Sequence, residues 1–494
     1  FDTPSFPPNG DNFYQYSRPE MDWAIGNYSQ AFVLADRFQY AHDIQALLYE
    51  DVPTATLVYP NAVFPMDLNF DQNSWDGILW NSAYQDMTNW SIPGQTEFHY
   101  ACPADFEDFH PMKTESEYDA QWTQQIYGGL VERYAYPPFN RNFGPYACSS
   151  FNSTDGITYN VQINSDLKFA DGHVCNASDV KYSYDLMINP DFNQPDFGFY
   201  SRYLTNETVV INSEFEVTIT YNQSYVFQDQ LLAIDILPKH IWEPIAPGAQ
   251  ESQAANWALN DSLDSNLMGI GPYFLSDYDD TNGIIHLKRN EYFDDWSGIT
   301  PNFADIYFEF YSNIEGALVA LTAGDIDMVD SNFRPQIYEI PTGVKYELVD
   351  QPGSQEMAFN NLHPIIGTGE LCPISSPESG KHIRKAISYL IPRIRIIDEI
   401  LSGLGTPGVT PFPRGSVGFD ETLESLEYST SLALHHMQLA GYDITAFFVG
   451  TSTNIGMGLV TIIGILALTG GSFLIFRRTI TKMGRMYYED QKRN

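Results

Sequence analysis

From Ile455 to Phe476 the chain carries no charged residue. At about 1.5 Å per residue in a helix, that stretch reaches about 33 Å, enough to cross a bilayer core of about 30 Å. A soluble core helix of this length would show a polar face. The sequence therefore predicts a transmembrane helix over 455–476. Arg477, Arg478, Lys482, Arg485, Lys492 and Arg493 follow it, against only Glu489 and Asp490. Basic flanks stay on the cytoplasmic side, so the expected topology is single-pass in the cell membrane, with the N-terminal ectodomain outside and a cytoplasmic tail at 477–494.

The remainder is strongly acidic. The full chain of 494 residues has 63 acidic and 25 basic side chains and a formal net charge of −38. Such a surface repels phosphate backbones, which excludes nucleic acid as a partner. At 43% hydrophobic and 15% aromatic residues, the chain can fill several cores and is not a disordered polymer.

Seven Asn-x-Ser/Thr sequons, at Asn27, Asn89, Asn152, Asn176, Asn206, Asn222 and Asn260, all precede the apolar stretch. They fit an exported glycoprotein. A start at Phe1 rather than Met is read as an upstream segment removed. Cys102, Cys148, Cys175 and Cys372 are even in number, and two disulfides of open connectivity are expected. No cysteine spacing suits a metal, and His435-His436 are neighbours that face different sides of a helix, so no metal site and no cofactor is expected. No GxSxG, HExxH, Walker or GxGxxG pattern appears, and the chain is expected not to be an enzyme.

Periodicity and punctuation predict an irregular entry over 1–30, a helix over 31–50 with Phe32, Ala35, Phe38, Gln39, Ile44 and Leu47 on one face, and a strand over 54–59 stopped by Pro60. Further strands are expected at 96–103, 157–163 with 167–169 as a hairpin, 207–221, a hairpin from Tyr273 to Leu287, and 305–311. Helices are expected at 115–132, after the Asn176 cap with Asp179 three residues on, at 313–323, as one long stretch over 380–402, and at 430–440. The mixed order indicates an α/β protein.

Phe169-Ala170-Asp171-Gly172 followed by Ala177-Ser178-Asp179-Val180 resembles the "FxDGxxxTAxDV" signature of family 5 extracellular solute-binding proteins, the dipeptide and oligopeptide receptors of ABC importers. In order, Leu237–Trp242 resembles "LPKHIW", Gly269–Tyr273 "GTGPY", Arg289–Phe293 "RNPDYW" and Ala323–Asp327 "AGEIDI". Arg384–Ile387 with Gly403–Gly405 resembles "RQAI…GxG", and Ala440–Tyr442 "EAGY". Phe109-His110-Pro111 with Tyr127–Leu130 resembles the opening "LNP…YEGL". The likeness covers about 96–443. Residues 31–95, with Leu48–Pro53 running into Val58–Pro60, are similar to the family's C-terminal end, so the order of the pieces looks permuted. The family's "GWxxDY"-like segment is missing.

The resemblance implies a two-lobed periplasmic-binding-protein type II fold with a hinge: lobe I at 55–302, lobe II from 1–54 with 303–445, a linker at 446–454, then the membrane helix. It implies a peptide or oligosaccharide held between the lobes and an ABC permease as membrane partner. By the same resemblance His110, Pro111, Met112 and Lys113 line the cleft, with Tyr200 and Tyr203 as stacking candidates. The alternative is a structural or assembly-forming surface glycoprotein on the same fold. Residues 31–60 are expected to dock on 303–443 of this chain or of a neighbouring copy, with a second chain from the same precursor as a further partner.

Overall fold

The computed structural model describes residues 1–5, 7, 12–75, 87–133, 143–259, 266–351, 353–414, 416 and 418–444. The stretch 455–476, its flank and Asn260 lie outside these. Among the described residues, no helix is long and apolar enough to cross a membrane.

Two compact units emerge, Phe1–Asn361 with Ile391–Tyr428, and Leu362–Leu390 with Ser429–Asn494. The first is built on a nine-stranded sheet. Its central strand, Glu97–Cys102, runs parallel to Asp305–Phe310 on one side and Met328–Val329 on the other. The sheet extends through Ile284–Arg289 and Tyr273–Asp279, an antiparallel hairpin. At the other end Thr54–Met66 pairs antiparallel with Lys345–Asp350, Gln355–Ala358 and Gly405–Pro407. A separate four-stranded sheet joins Cys148–Ser153, Thr158–Ile163, Glu216–Thr220 and Val209–Ser213. The large apolar cluster between these sheets and their helices includes fully buried Trp90, Trp122 and Trp242. This mixed architecture is the expected α/β class.

Several elements form where local chemistry places them. Asn176 and Asp179 close a reciprocal capping box on helix Ala177–Met187, satisfying two otherwise orphaned N–H groups. Asn313 caps helix Ile314–Ala323, and Gly324 ends it at φ +79°. The start of the chain also docks on its later residues as expected: Thr54–Val58 pairs with Gln355–Ala358, and buried Gln45 donates to the Gly418 carbonyl at 2.6 Å and accepts from Asp420 N–H at 3.0 Å.

Other expectations are corrected. The entry is not wholly irregular: Pro19–Tyr28 is a helix with Pro at its first turn and Met21 and Ala24 buried against Ile44 and Leu48. The following helix, Leu34–Asp51, buries Ala41, Ile44, Gln45 and Leu48 rather than the face drawn through Ala35, Phe38 and Leu47. Pro60 does not stop the strand, which continues to Met66. Its lack of an N–H is tolerated because the strand changes partners there, from Gly405–Pro407 to Lys345–Asp350, while its carbonyl accepts from Gln351.

The 115–132 helix shrinks to Glu117–Thr123, because the carbonyls of Gln125 and Ile126 accept from Tyr273 and Gly271 instead. A Cβ at Gly271 would lie 2.7 Å from those oxygens, so only glycine lets the two backbones meet. Thr158–Ile163 pairs with Cys148–Ser153 and Glu216–Thr220, not with 167–169. Gly172, at φ +86°, turns the chain immediately after Phe169, leaving only a Lys168–Val174 bridge. The 380–402 stretch is two helices, Pro377–Tyr389 and Arg393–Glu399, split at Pro392, where a proline cannot continue the first helix.

The disulfide expectation is also corrected. Cys102, Cys148, Cys175 and Cys372 are all free and buried. They lie at the end of strand Glu97–Cys102, at the start of Cys148–Ser153, before helix Ala177–Met187, and in the second unit. Burial raises each thiol's pKa, which keeps it protonated and inert. The second unit packs Pro377–Tyr389 against Thr430–Leu439 around Cys372, Ile383 and Ala440.

Candidate functional site

A cavity of about 300 Å³ opens in the first unit between the segment after strand Glu97–Cys102 and the start of helix Gln250–Ala258. Residues 107–110 with Lys113 and Thr114 form one wall; Gly248, Glu251, Ser252 and Ala255 form the other. The volume is at the low end for a small-molecule site.

Buried Asp119 holds the first wall in place. One carboxylate oxygen accepts from the Glu107 and Asp108 N–H groups at 3.3 and 3.2 Å, the other from the Trp122 indole at 3.0 Å. Burial nonetheless raises its pKa. Gln250 anchors the second wall, donating to the Trp242 carbonyl at 3.1 Å and the Tyr182 hydroxyl at 2.8 Å. The rim bears Glu107, Asp108 and Glu251 against one cation, Lys113. That ammonium sits 2.6 Å from Glu251 and 5.3 Å from the centre of the Phe192 ring.

Of the sequence candidates, His110 and Lys113 line this cavity. His110 is buried between Phe192 and Trp242, with ring centroids at 5.1 and 4.6 Å. Its Nδ1 accepts from the Met112 N–H at 3.2 Å, and burial pulls its pKa down to about 3, so the imidazole is neutral. Met112 is buried in the main core, and neither it nor Pro111 lines the cavity. Tyr200 and Tyr203 stand elsewhere, on helix Phe197–Tyr203, with Tyr203 packed on Tyr225 at 4.9 Å. Burial pushes the Tyr200 hydroxyl up to about 12. The cavity thus presents a neutral His110 and a Lys113 paired with Glu251.

Of the sequons, Asn89, Asn152, Asn206 and Asn222 are exposed and Asn27 is half-buried. The Asn176 carboxamide is occupied as the helix cap, its oxygen accepting from Ser178 N–H at 2.8 Å. One cluster escaped sequence reasoning. Asp171, His173 and His240 bring their ligating atoms within 4.8 Å of one another, against the expectation of no metal site. The Asp-Gly-His turn and the Lys-His step are each visible in the sequence, but no linear spacing joins positions 69 residues apart.

The mixed sheet and its capped helices define an α/β protein with a cavity of small-molecule size. Residues 126–455 match the middle part of family 5 of the bacterial extracellular solute-binding proteins, and the chain belongs to that family, whose members bind solutes rather than transform them. It is 24% identical over 301 residues to a probable ABC transporter-binding protein of Deinococcus radiodurans, covering 56% of this chain and 48% of that one. It is 23% identical over 303 residues to the oligopeptide-binding protein AppA of Bacillus subtilis, covering 59% and 50%. The chain thus spans about half the length of these curated relatives. Among solved structures, the ABC transporter substrate-binding protein CtaP of Listeria monocytogenes superposes with a TM-score of 0.51 at 18% identity, over 71% of this chain and 66% of that one. It shares the fold.

Proposed function

We propose that this chain is the substrate-binding component of an ABC importer and takes a peptide-type solute. The observation that carries the reading is the family match over 126–455, and the oligopeptide-binding relative supports the solute class. The acidic rim of the cavity suits the ammonium end of a peptide, and Lys113 meets its carboxylate by exchanging Glu251 for it; His110, Pro111, Met112, Tyr200 and Tyr203 remain candidate contacts.

In the finer form of the proposal, the solute is a peptide or oligosaccharide enclosed between lobes at 55–302 and at 1–54 with 303–445, and the closed form is presented to a membrane permease. The span 455–476 anchors the protein, with 477–494 inside and glycans on the exposed sequons. Residues 31–95 supply, in permuted order, what is C-terminal elsewhere in the family, and a second chain or a neighbouring copy supplies the absent "GWxxDY"-like segment.

Native mass spectrometry of the purified chain, followed by tryptophan fluorescence on adding a library of short peptides, tests the reading. A retained or titratable peptide supports it. An oligosaccharide in its place corrects the solute class. Binding of neither overturns the receptor function and leaves the surface-structural alternative.

A further inference from the structure

Asp171, Gly172 and His173 form the turn after Phe169, and His240 opens the short helix Lys239–Trp242. The turn holds its own geometry: the His173 N–H donates to Asp171 Oδ1 at 2.9 Å, and the Gly172 N–H donates to the Phe169 carbonyl at 2.9 Å. The helix start is fixed separately, by the Lys239 N–H donating to buried Asp179 at 3.0 Å and by the Phe169 ring beside His240 at 5.9 Å. Two rigid backbones thus aim three ligating side chains at one point.

At that point Asp171 Oδ2 lies 2.9 Å from His173 Nδ1 and 2.7 Å from His240 Nε2. The imidazoles stack with centroids 3.9 Å apart and planes at 27°. The second carboxylate oxygen is free of the backbone, so it is the one that can bind a cation. Neighbouring lysines are engaged elsewhere, Lys239 with Glu243 at 3.5 Å and Lys168 with Asp295 at 2.9 Å. The side chains of Asp171, His173 and His240 keep 23%, 63% and 32% of their exposure, so an ion can enter from solvent.

We propose that Asp171, His173 and His240 form a binding site for a divalent first-row transition-metal ion, with zinc as the reference case. Two imidazole nitrogens and one carboxylate oxygen are a zinc, nickel or copper donor set, not a calcium or magnesium one. Bonds of about 2.0 Å in a tetrahedron separate the ligand atoms by about 3.3 Å. The two oxygen–nitrogen distances therefore open by roughly half an ångström; the exposed His173 side chain opens its own by rotation, and the partly exposed Asp171 and His240 side chains open the other. The ion takes the place of the two hydrogen bonds to Oδ2, each neutral imidazole carrying its proton on the ring nitrogen that faces away from the ion, and water fills the fourth position from the solvent side. The site does not depend on the transport reading, since it uses neither the cavity nor the solute.

The test uses chelator-stripped, tag-free protein titrated with Zn²⁺ against a chromophoric indicator, and with Co²⁺ followed in the visible spectrum. One saturable equivalent is expected, with intensified Co²⁺ bands reporting tetrahedral binding. His173→Ala removes one ligand with its surface hydrogen bond to Asp171. It should weaken that equivalent at least about tenfold while shifting the metal-free melting curve by no more than loss of a surface contact does. His435→Gln, near the separate His382–His436 pair of the second unit, should leave binding intact. No saturable equivalent in the parent protein, parental affinity in His173→Ala, or loss that follows His435→Gln instead would each overturn the site.

Discussion

Two carboxylates in the first unit, Asp330 and Asp171, each accept from two side chains, yet their surroundings push them in opposite directions. Asp330 is fully buried; its Oδ2 accepts from Gln121 Nε2 at 2.7 Å and the Tyr100 hydroxyl at 3.0 Å, and its Oδ1 from Asn332 N–H at 2.6 Å. Burial outweighs these donors and raises its pKa to about 6. Asp171 keeps contact with water and faces two imidazoles, and the hydrogen bonds it receives outweigh a smaller desolvation cost and lower its pKa. The donor count is the same; solvent access decides whether a carboxylate serves the scaffold or stays available to a ligand.

The largest expected break in this comparison is Asp330→Ala. It leaves three donors without that buried acceptor and should cost about 3 kcal/mol of stability, read as a shift in denaturant midpoint. Asp171→Ala, which removes a turn hydrogen bond and the imidazole partners at the surface, should cost about 1 kcal/mol in the same assay. Equal losses would mean that solvent access is not the deciding variable.

The pH dependence sharpens the contrast through its sign. Native Asp330 holds its proton up to about 6, above the ordinary value of 3.8, so its contribution to stability falls as pH rises through that window. Native Asp171 loses its proton below 3.8, so its contribution is present above that value and is lost as pH falls through the native pKa. Unfolding curves at pH 4 and pH 7 should therefore show Asp330→Asn gaining on the parent protein as pH rises. Asp171→Asn should lose ground in a further set of curves taken below pH 4, as pH climbs from the lowered native pKa to 3.8. The same slope for both variants would refute the contrast.

The smallest effect on stability belongs to Lys113→Ala. Its ion pair with Glu251 is half solvated on the glutamate side, and removal should cost under about 1 kcal/mol. If the cavity holds the solute, the same change weakens peptide affinity by more than it weakens the fold. Comparing the two losses in one preparation separates a binding residue from a surface contact.

Much of the local punctuation was legible. The Asn176–Asp179 capping box formed as expected, and helix Ile314–Ala323 fell within a residue of its expected bounds, because caps are satisfied by residues three or four apart. The ordered motifs from Phe169 to Gly324 were legible as family membership for the same reason: they are turns and caps. The site was less legible. Lys113 and His110 were named, but their cavity exists only because helix Gln250–Ala258 comes to face them. The buried role of His110 follows from Phe192 and Trp242, distant in sequence.

By itself the sequence determined the α/β class, the family, and the ends of several elements, since these rest on periodicity and on side chains reaching their own backbone. Tertiary structure alone decided the rest. Pro60 stays within a strand because two different partners meet there, and the 115–132 helix stops early because Gly271 and Tyr273 claim its carbonyls. The four buried cysteines form no disulfide with one another. Asp171, His173 and His240 converge because a turn and a helix start are brought together across 69 residues. Each outcome depends on which backbone approaches which, and that is a property of packing, not of neighbouring residues.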